Sequence, residues 1–217
     1  MKKLLFWMVL IVGIVVLLGS CAKKDGATTA TTATFTSTTT AAGSITVGSV
    51  AMSGTYVSGC NTSGVAAAVS GGHFPSDVVA NRDVIVVEGN DNVSEESHFY
   101  TDTSCSTLSV YLKNGNDNFT VGDQSGDYYK VTYQEKRFRI KADTAVAEAY
   151  YENHFSTNNI TNQGTAVDLV VGTEYSMSGS GSTYMNLYSV TSTQVQTGED
   201  SSSTQPTAMD SLEMTKQ

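Results

Sequence analysis

The stretch YYKVTYQEKRFRIK, residues 128–141, constrains the fold more than any other part of the chain. Tyr129, Val131 and Tyr133 alternate with Lys130, Thr132 and Gln134. Successive side chains of a strand point to opposite faces, so a period of two describes a strand with one face buried and the other in water. The phase slips across Glu135-Lys136, and Phe138 and Ile140 then alternate with Arg137, Arg139 and Lys141. A one-residue slip would send every later side chain to the wrong face. The break therefore demands a turn or a bulge between two half-buried antiparallel strands.

The same pattern recurs from about Ser44 to Gln217. The short runs ITVGSV, GTYVSG, DVIVVEG, SHFYTD, LSVYL, NFTVG, FRIKA, DLVVG, TEYSMSG, YMNLYSV and DSLEMTK read as strands, and all eleven tyrosines fall in this region. The turn motif GNDN occurs at Gly89–Asn92 and again at Gly115–Asn118, each between two apolar runs. Asn and Asp tolerate left-handed backbone and bond to their own turn, so both motifs are expected to be hairpin turns. One segment departs from the pattern. DTAVAEAYYENHF has Asp143 at an N-cap position and Val146, Ala149 and Tyr150 at helical spacing, which predicts a short helix. SGVAAAVSGG, residues 63–72, reads equally as helix or loop. Many short strands with such turns argue for an all-β barrel or sandwich.

The chain opens with MKK, then a fifteen-residue apolar run from Leu4 to Leu18, then Gly19-Ser20-Cys21. A basic segment, an apolar segment and small residues are the layout of an export signal, and the run is shorter than the roughly 18 residues of a membrane span. Leu18-Gly19-Ser20-Cys21 resembles a bacterial lipobox. That resemblance implies a diacylglyceryl group on Cys21, cleavage before it and acylation of the new amino terminus with fatty chains such as palmitate. Each buried methylene adds about 0.8 kcal/mol and one chain holds only marginally, so two or three make a lasting anchor. Ala22 after the cysteine implies outer-membrane delivery, by analogy with enteric bacteria. The alternative is an uncleaved, short membrane helix. The expected layout is a signal peptide over 1–20, a lipidated tether over 21–43 and a β domain over 44–217. Nine threonines among residues 26–43, with no apolar periodicity, predict that the tether is flexible.

The net charge of −9 becomes −11 once residues 1–20, with Lys2 and Lys3 and no acid, are removed. So acidic a body disfavours nucleic acid and anionic surfaces as partners. With Cys21 assigned to lipid, Cys60 and Cys105 remain in an oxidising compartment, and a disulfide is the natural reading, with two free thiols as the alternative.

Three stretches, GTYVSGC (54–60), FYTDTSC (99–105) and QPTAMDSLEMTKQ (205–217), resemble the lipocalin-like domains of bacterial lipoproteins. In those domains the first strand opens with Gly-x-aromatic and a cysteine pair braces the early strands. The resemblance implies an antiparallel up-and-down barrel whose cup holds a small, often apolar molecule. Tyr56 stands where lipocalins usually carry tryptophan, and Lys216 is the only candidate for the basic residue that packs over it.

Motifs for chemistry are absent from the sequence. It has no Gly-x-Ser-x-Gly elbow, no His-Glu-x-x-His, no phosphate loop and no Cys-x-x-Cys, so neither an enzyme nor a cofactor is expected. His73, His98 and His154 stand singly, which reads as structural rather than metal-ligating. Asp91, Glu95 and Glu96, with Asp117, Asp123 and Asp127, lack the spacing of a calcium loop and read as solvated turns. Arg137, Arg139 and Lys141, beside Lys136, read as a solvated strand face rather than an anion site. The expected function is a lipid-anchored, monomeric envelope protein holding a small apolar or amphipathic ligand. Tyr56, Tyr100, Tyr129, Val131, Tyr133, Phe138 and Tyr188 are the candidate ligand-lining residues. The alternative is a side-chain-filled barrel that binds a protein partner.

Overall fold

The computed structural model describes residues 35–217. The signal peptide, Cys21 and the first part of the tether lie outside the described residues. Within them, β1 (Ile45–Val47), β2 (Val50–Met52), β3 (Thr55–Ser58), α1 (Val65–Ser70), β4 (Ala80–Val87), β5 (Val93–Tyr100), β6 (Leu108–Ser125) and β7 (Tyr128–Ala142) come first. There follow α2 (Ala145–Thr157), β8 (Thr161–Asn162), β9 (Thr165–Ala166), β10 (Tyr175–Ser178), β11 (Thr183–Val190), β12 (Gln194–Gly198) and β13 (Met209–Lys216). The strands β3, β4, β5, β6, β7, β11, β12 and β13 close an eight-stranded antiparallel up-and-down barrel, β13 returning to β3. The expected fold class is the one observed.

The phase slip is a bulge inside a single fifteen-residue strand, β7. Gly115 opposes Arg137 while Asn116 opposes Glu135, which leaves Lys136 as the extra residue. Only the first GNDN makes a hairpin turn, between β4 and β5. The second lies within β6, whose pairing with β7 shifts register there, and Asn118 takes φ 57°. Left-handed Asn serves a bulge as readily as a turn, so the motif alone does not separate the two.

Other expectations are revised. ITVGSV holds β1, the turn and the first residue of β2, a hairpin turned at Gly48 with φ 61°, where a Cβ would run into the Tyr129 ring. DLVVG is a loop in which Leu169 enters the core while Val170 and Val171 stay exposed. QVQTG, with one apolar side chain to bury, was not expected to be a strand and forms β12. The expected helix is α2, capped by Thr144 rather than Asp143. The Thr144 hydroxyl accepts from the Ala147 N–H at 3.1 Å, and Asp143 pairs with Lys141. Its buried face is Ala147, Tyr151 and Phe155, four residues apart, while Val146 faces solvent. The ambiguous segment 63–72 contains the short helix α1.

Both barrel ends are plugged. Ile45, Val47 and Met52 of the β1–β2 hairpin pack onto Tyr56, Val87, Val131, Tyr188 and Val195. At the other end Val65 of α1, Phe74, and Ala147, Tyr151 and Phe155 of α2 pack onto Phe99, Val110, Leu112, Phe138 and Ile140. Each of the larger aliphatic or phenyl side chains among these contributes roughly 1.5–3 kcal/mol.

The last residues of the expected tether, from Phe35, are among those described. From Phe35 onward the chain lies on the barrel wall. Phe35 packs on Val57, Val84 and Val86, and the Ala42 N–H donates to the Val87 carbonyl at 2.9 Å. Cys60 and Cys105 form a disulfide, joining the loop after β3 to the β5–β6 loop.

Candidate functional site

Between the two apolar plugs the barrel turns polar. Strand alternation puts Asp83 and Ile85 of β4, Glu95 and Ser97 of β5, and Asn114 and Asn116 of β6 on the inward face, with Asp83 opposite Ser97, and Ile85 opposite Glu95, which in turn faces Asn114. Glu95 accepts from the hydroxyls of Tyr188 at 2.6 Å and Tyr133 at 3.4 Å, and from the Asn116 amide at 2.9 Å. Asp200, from the β12–β13 loop, accepts from the Tyr133 hydroxyl and the Asn186 amide. The Tyr133 hydroxyl therefore stands between two carboxyls with one proton to donate. Glu135, only 3 % exposed, accepts weakly from the Ser180 N–H at 3.4 Å. Asp83 accepts from Ser97 at 2.9 Å and from the Asn81 amide at 3.2 Å.

Burial without a counter-charge moves these groups toward their neutral forms. Desolvation pushes Asp83 up to about 6 and Glu135 up to about 7. Burial also raises Glu95 and Asp200, and for Asp200 the charge of Glu95 adds to it. The same desolvation, with the nearby carboxylates, lifts the Tyr133 and Tyr188 hydroxyls well above their ordinary range.

A cavity of about 100 Å³ opens at this waist. Asp83, Glu95, Asn114, Asn186, Asp200 and Asp210 supply polar groups, and Ile85, Leu112, Leu212 and Met214 supply apolar ones. Among the described residues no lysine, arginine or histidine lines it. The Asn114 carboxamide oxygen is buried and has no hydrogen-bond partner among the described residues. Glu199 and Asp200 also line a hollow of about 590 Å³ beneath the β12–β13 loop, formed by residues such as Tyr184, Ser202, Thr204 and Pro206.

None of the seven candidate ligand residues lines the waist cavity. Tyr56, Val131, Tyr133 and Tyr188 are buried in the plug built on the β1–β2 hairpin, with Tyr129 beside them. Phe138 belongs to the helical plug, and Tyr100 packs outside the lumen against Ala80 and the disulfide. The structure thus splits the group among three clusters. Lys216 does approach Tyr56, its ammonium 5.8 Å from the ring centre.

Glu95 and Glu96 are not solvated. They face opposite sides of β5, Glu95 inward and Glu96 onto the outer wall. There Glu96 accepts from Ser37 at 2.9 Å and from Thr39, and lies 2.7 Å from His98 and 3.5 Å from Lys113. Lys113 in turn donates to Thr38 at 2.6 Å and sits over the Tyr111 ring. Burial alone would raise Glu96, but the His98 hydrogen bond and the Lys113 charge outweigh it and hold the carboxylate low. Desolvation lowers both His98 and Lys113. Reading residues 91–96 as a turn missed this pair, because the strand begins at Val93 and period two then buries both neighbours.

The basic strand face is ion-paired rather than simply solvated. Arg137 bonds Glu88 and Asp117 at 2.9 Å, Arg139 bonds Glu88 at 3.3 Å, and Lys141 bonds Asp143 at 2.8 Å. The histidines lie on separate elements: His73 after α1, His98 in β5, His154 in α2. Among the described residues no three His, Cys, Asp or Glu side chains are grouped to hold a metal ion. The chain matches no known protein-family model and no curated protein.

Proposed function

We propose that this chain is a lipid-anchored protein of the bacterial envelope whose disulfide-braced barrel is a rigid, side-chain-filled body that meets a macromolecular partner. The observation that carries this reading is the lumen. Both ends are plugged, and the free space at the waist is about 100 Å³, short of the roughly 300–1,000 Å³ of ligand pockets. The lipobox-like Leu18-Gly19-Ser20-Cys21 supports the anchor, and residues 35–42 lie along the wall, where the Ala42 N–H donates to the Val87 carbonyl. Val79, Val146, Val170 and Val171 are exposed, and the bonds from Thr144 to Asp77 and from the Gly172 N–H to the Ala142 carbonyl bring their segments to the start of α2, which supports an apolar contact there.

Native mass spectrometry of protein extracted from its own host tests this. The expected result is an acylated Cys21 at the amino terminus, with no lipid released from the body on extraction. An intact Met1, or a stoichiometric lipid in the body, overturns it. The single tryptophan is Trp7, so the processed protein should also emit as tyrosine alone.

A second reading is that the barrel also holds a small ligand from its side. The hollow beneath the β12–β13 loop, large enough for one and sharing Glu199 and Asp200 with the waist, favours it.

A further inference from the structure

Resting on the lipid anchor at Cys21, we propose that the body docks end-on against the lipid surface, with Val79, Val146, Val170 and Val171 seated among the headgroups. The surface is assigned by the direction in which the chain leaves the barrel wall. Residues 42 to 35 run back along β4 and β5. The Ala42 N–H donates to the Val87 carbonyl, and the Ser37 and Thr39 hydroxyls donate to Glu96, which pairs with Val84. Phe35 then lies edge-on to the His98 ring, and His98 pairs with Arg82. Val87, Val84 and Arg82 succeed one another toward the start of β4, and Val79 comes just before Ala80, its first residue. At this end β4 and β6 begin, β5 and β7 end, and both helices pack as the plug. Val146 lies in the first turn of α2, and the Gly172 N–H, bonded to the Ala142 carbonyl at 2.7 Å, holds Val170 and Val171 beside the end of β7.

Chain length decides between the two barrel ends. Residues 22–34 separate Cys21 from Phe35, a link that spans at most about 50 Å when fully drawn out. From the level of Phe35, the valine end is about 10 Å away along β4, at roughly 3.3 Å per residue. The opposite end is the β6–β7 hairpin tip at Ser125. It stands about 45 Å along β6 from Tyr111, the residue that pairs with His98. Bringing that tip to the bilayer would double the link back along the wall and draw it almost taut. The valine end requires neither. Exposed apolar side chains mark interaction surfaces, and apolar area entering the headgroup region strengthens a lipid anchor. Charges at this end are met within the protein: Asp77 accepts from Ser109 and Thr144, and Asp143 pairs with Lys141. Glu148 and Asp168, two residues from Val146 and Val170, favour zwitterionic over anionic lipid.

The test uses the full, acylated chain in phosphatidylcholine vesicles. Processing removes Trp7, so Val171→Trp carries the only tryptophan of the mature protein, and Asp123→Trp, at the exposed hairpin tip, is its counterpart. Val171→Trp is expected to emit at shorter wavelength than Asp123→Trp and to lose emission when the acyl chains are brominated. Asp123→Trp is expected to keep its emission. Adding Val146→Asp and Val170→Asp to Val171→Trp is expected to abolish both effects while the protein still sediments with the vesicles. Val170→Trp gives the same reading from the neighbouring position should Val171→Trp misfold. The inference is overturned if Val171→Trp is not quenched, if Asp123→Trp is quenched equally, or if the paired aspartates change nothing. A shift to shorter wavelength without quenching would mean that a protein surface covers the valines, and it too overturns the lipid assignment. Mass spectrometry of the same sample separates the two readings. Acylated Cys21 with an unquenched tryptophan discards the docking and keeps the anchor, whereas an intact Met1 discards both.

Discussion

Glu135 shows what a single buried carboxyl does to this protein. Its folded-state pKa of about 7 lies above the ordinary value of 4.5, because burial penalises the charge. Between those values the native state holds a proton that the unfolded chain has lost, so this group stabilises at low pH. That contribution disappears as pH rises through about 7, and it amounts to roughly 3 kcal/mol. Glu135→Gln keeps the shape and the acceptor without the titration. Its melting temperature relative to wild type should therefore improve by several degrees between pH 5 and pH 8, and a constant difference would refute the assignment. Burial lowers the pKa of His98 and of His154, which acts in the opposite sense, so the comparison must be variant against wild type. On the outer wall Lys113, 0 % exposed, compensates Glu96. Lys113→Met should cost about 3–5 kcal/mol in urea unfolding, because it strands a buried carboxylate. Adding Glu96→Gln should recover most of that loss.

At the scale of elements, the segment 35–42 behaves as a strap on the barrel. Its polar residues bond Glu96 and Lys113, and Phe35 lies edge-on to the His98 ring at 4.9 Å. Phe35→Ala should cost about 1–2 kcal/mol, since the ring is only half-buried, and should speed proteolysis between residues 35 and 42. Unchanged cleavage there would mean that the threonines alone hold the strap. The bulge at Lys136 is the other element-level device. It lets β7 keep Tyr133 and Phe138 both inward on one long strand, which an unbroken period of two forbids.

At the scale of the molecule, the Cys60–Cys105 bond spans 45 residues and ties the loop after β3 to the β5–β6 loop. Replacing both cysteines with alanine should cost up to roughly 4 kcal/mol of unfolding free energy. A loss near zero would mean that barrel closure by β13 and β3 already supplies that constraint. The two plugs matter at this scale as well. They turn what strand patterning alone would leave as an open cup into a body with one thin polar layer between two apolar cores.

Local rules determined much of this protein. The period of two in residues 128–141, its slip at Glu135-Lys136 and the helix near residue 145 are short-range signals, the pairing of two cysteines follows from their number, and each stands in the structure. Other outcomes belong to the closed barrel. Whether GNDN turns or bulges depends on what the partner strand does, and Gly115–Asn118 faces a strand that keeps going. Tyr129 and Phe138 look alike in sequence, yet closure assigns them to opposite plugs. Glu95, Glu135 and Asp200 come from β5, β7 and the β12–β13 loop, and nothing within one strand announces that they will meet. Side-chain direction is set every two residues, whereas the company a side chain keeps is set only when β13 returns to β3.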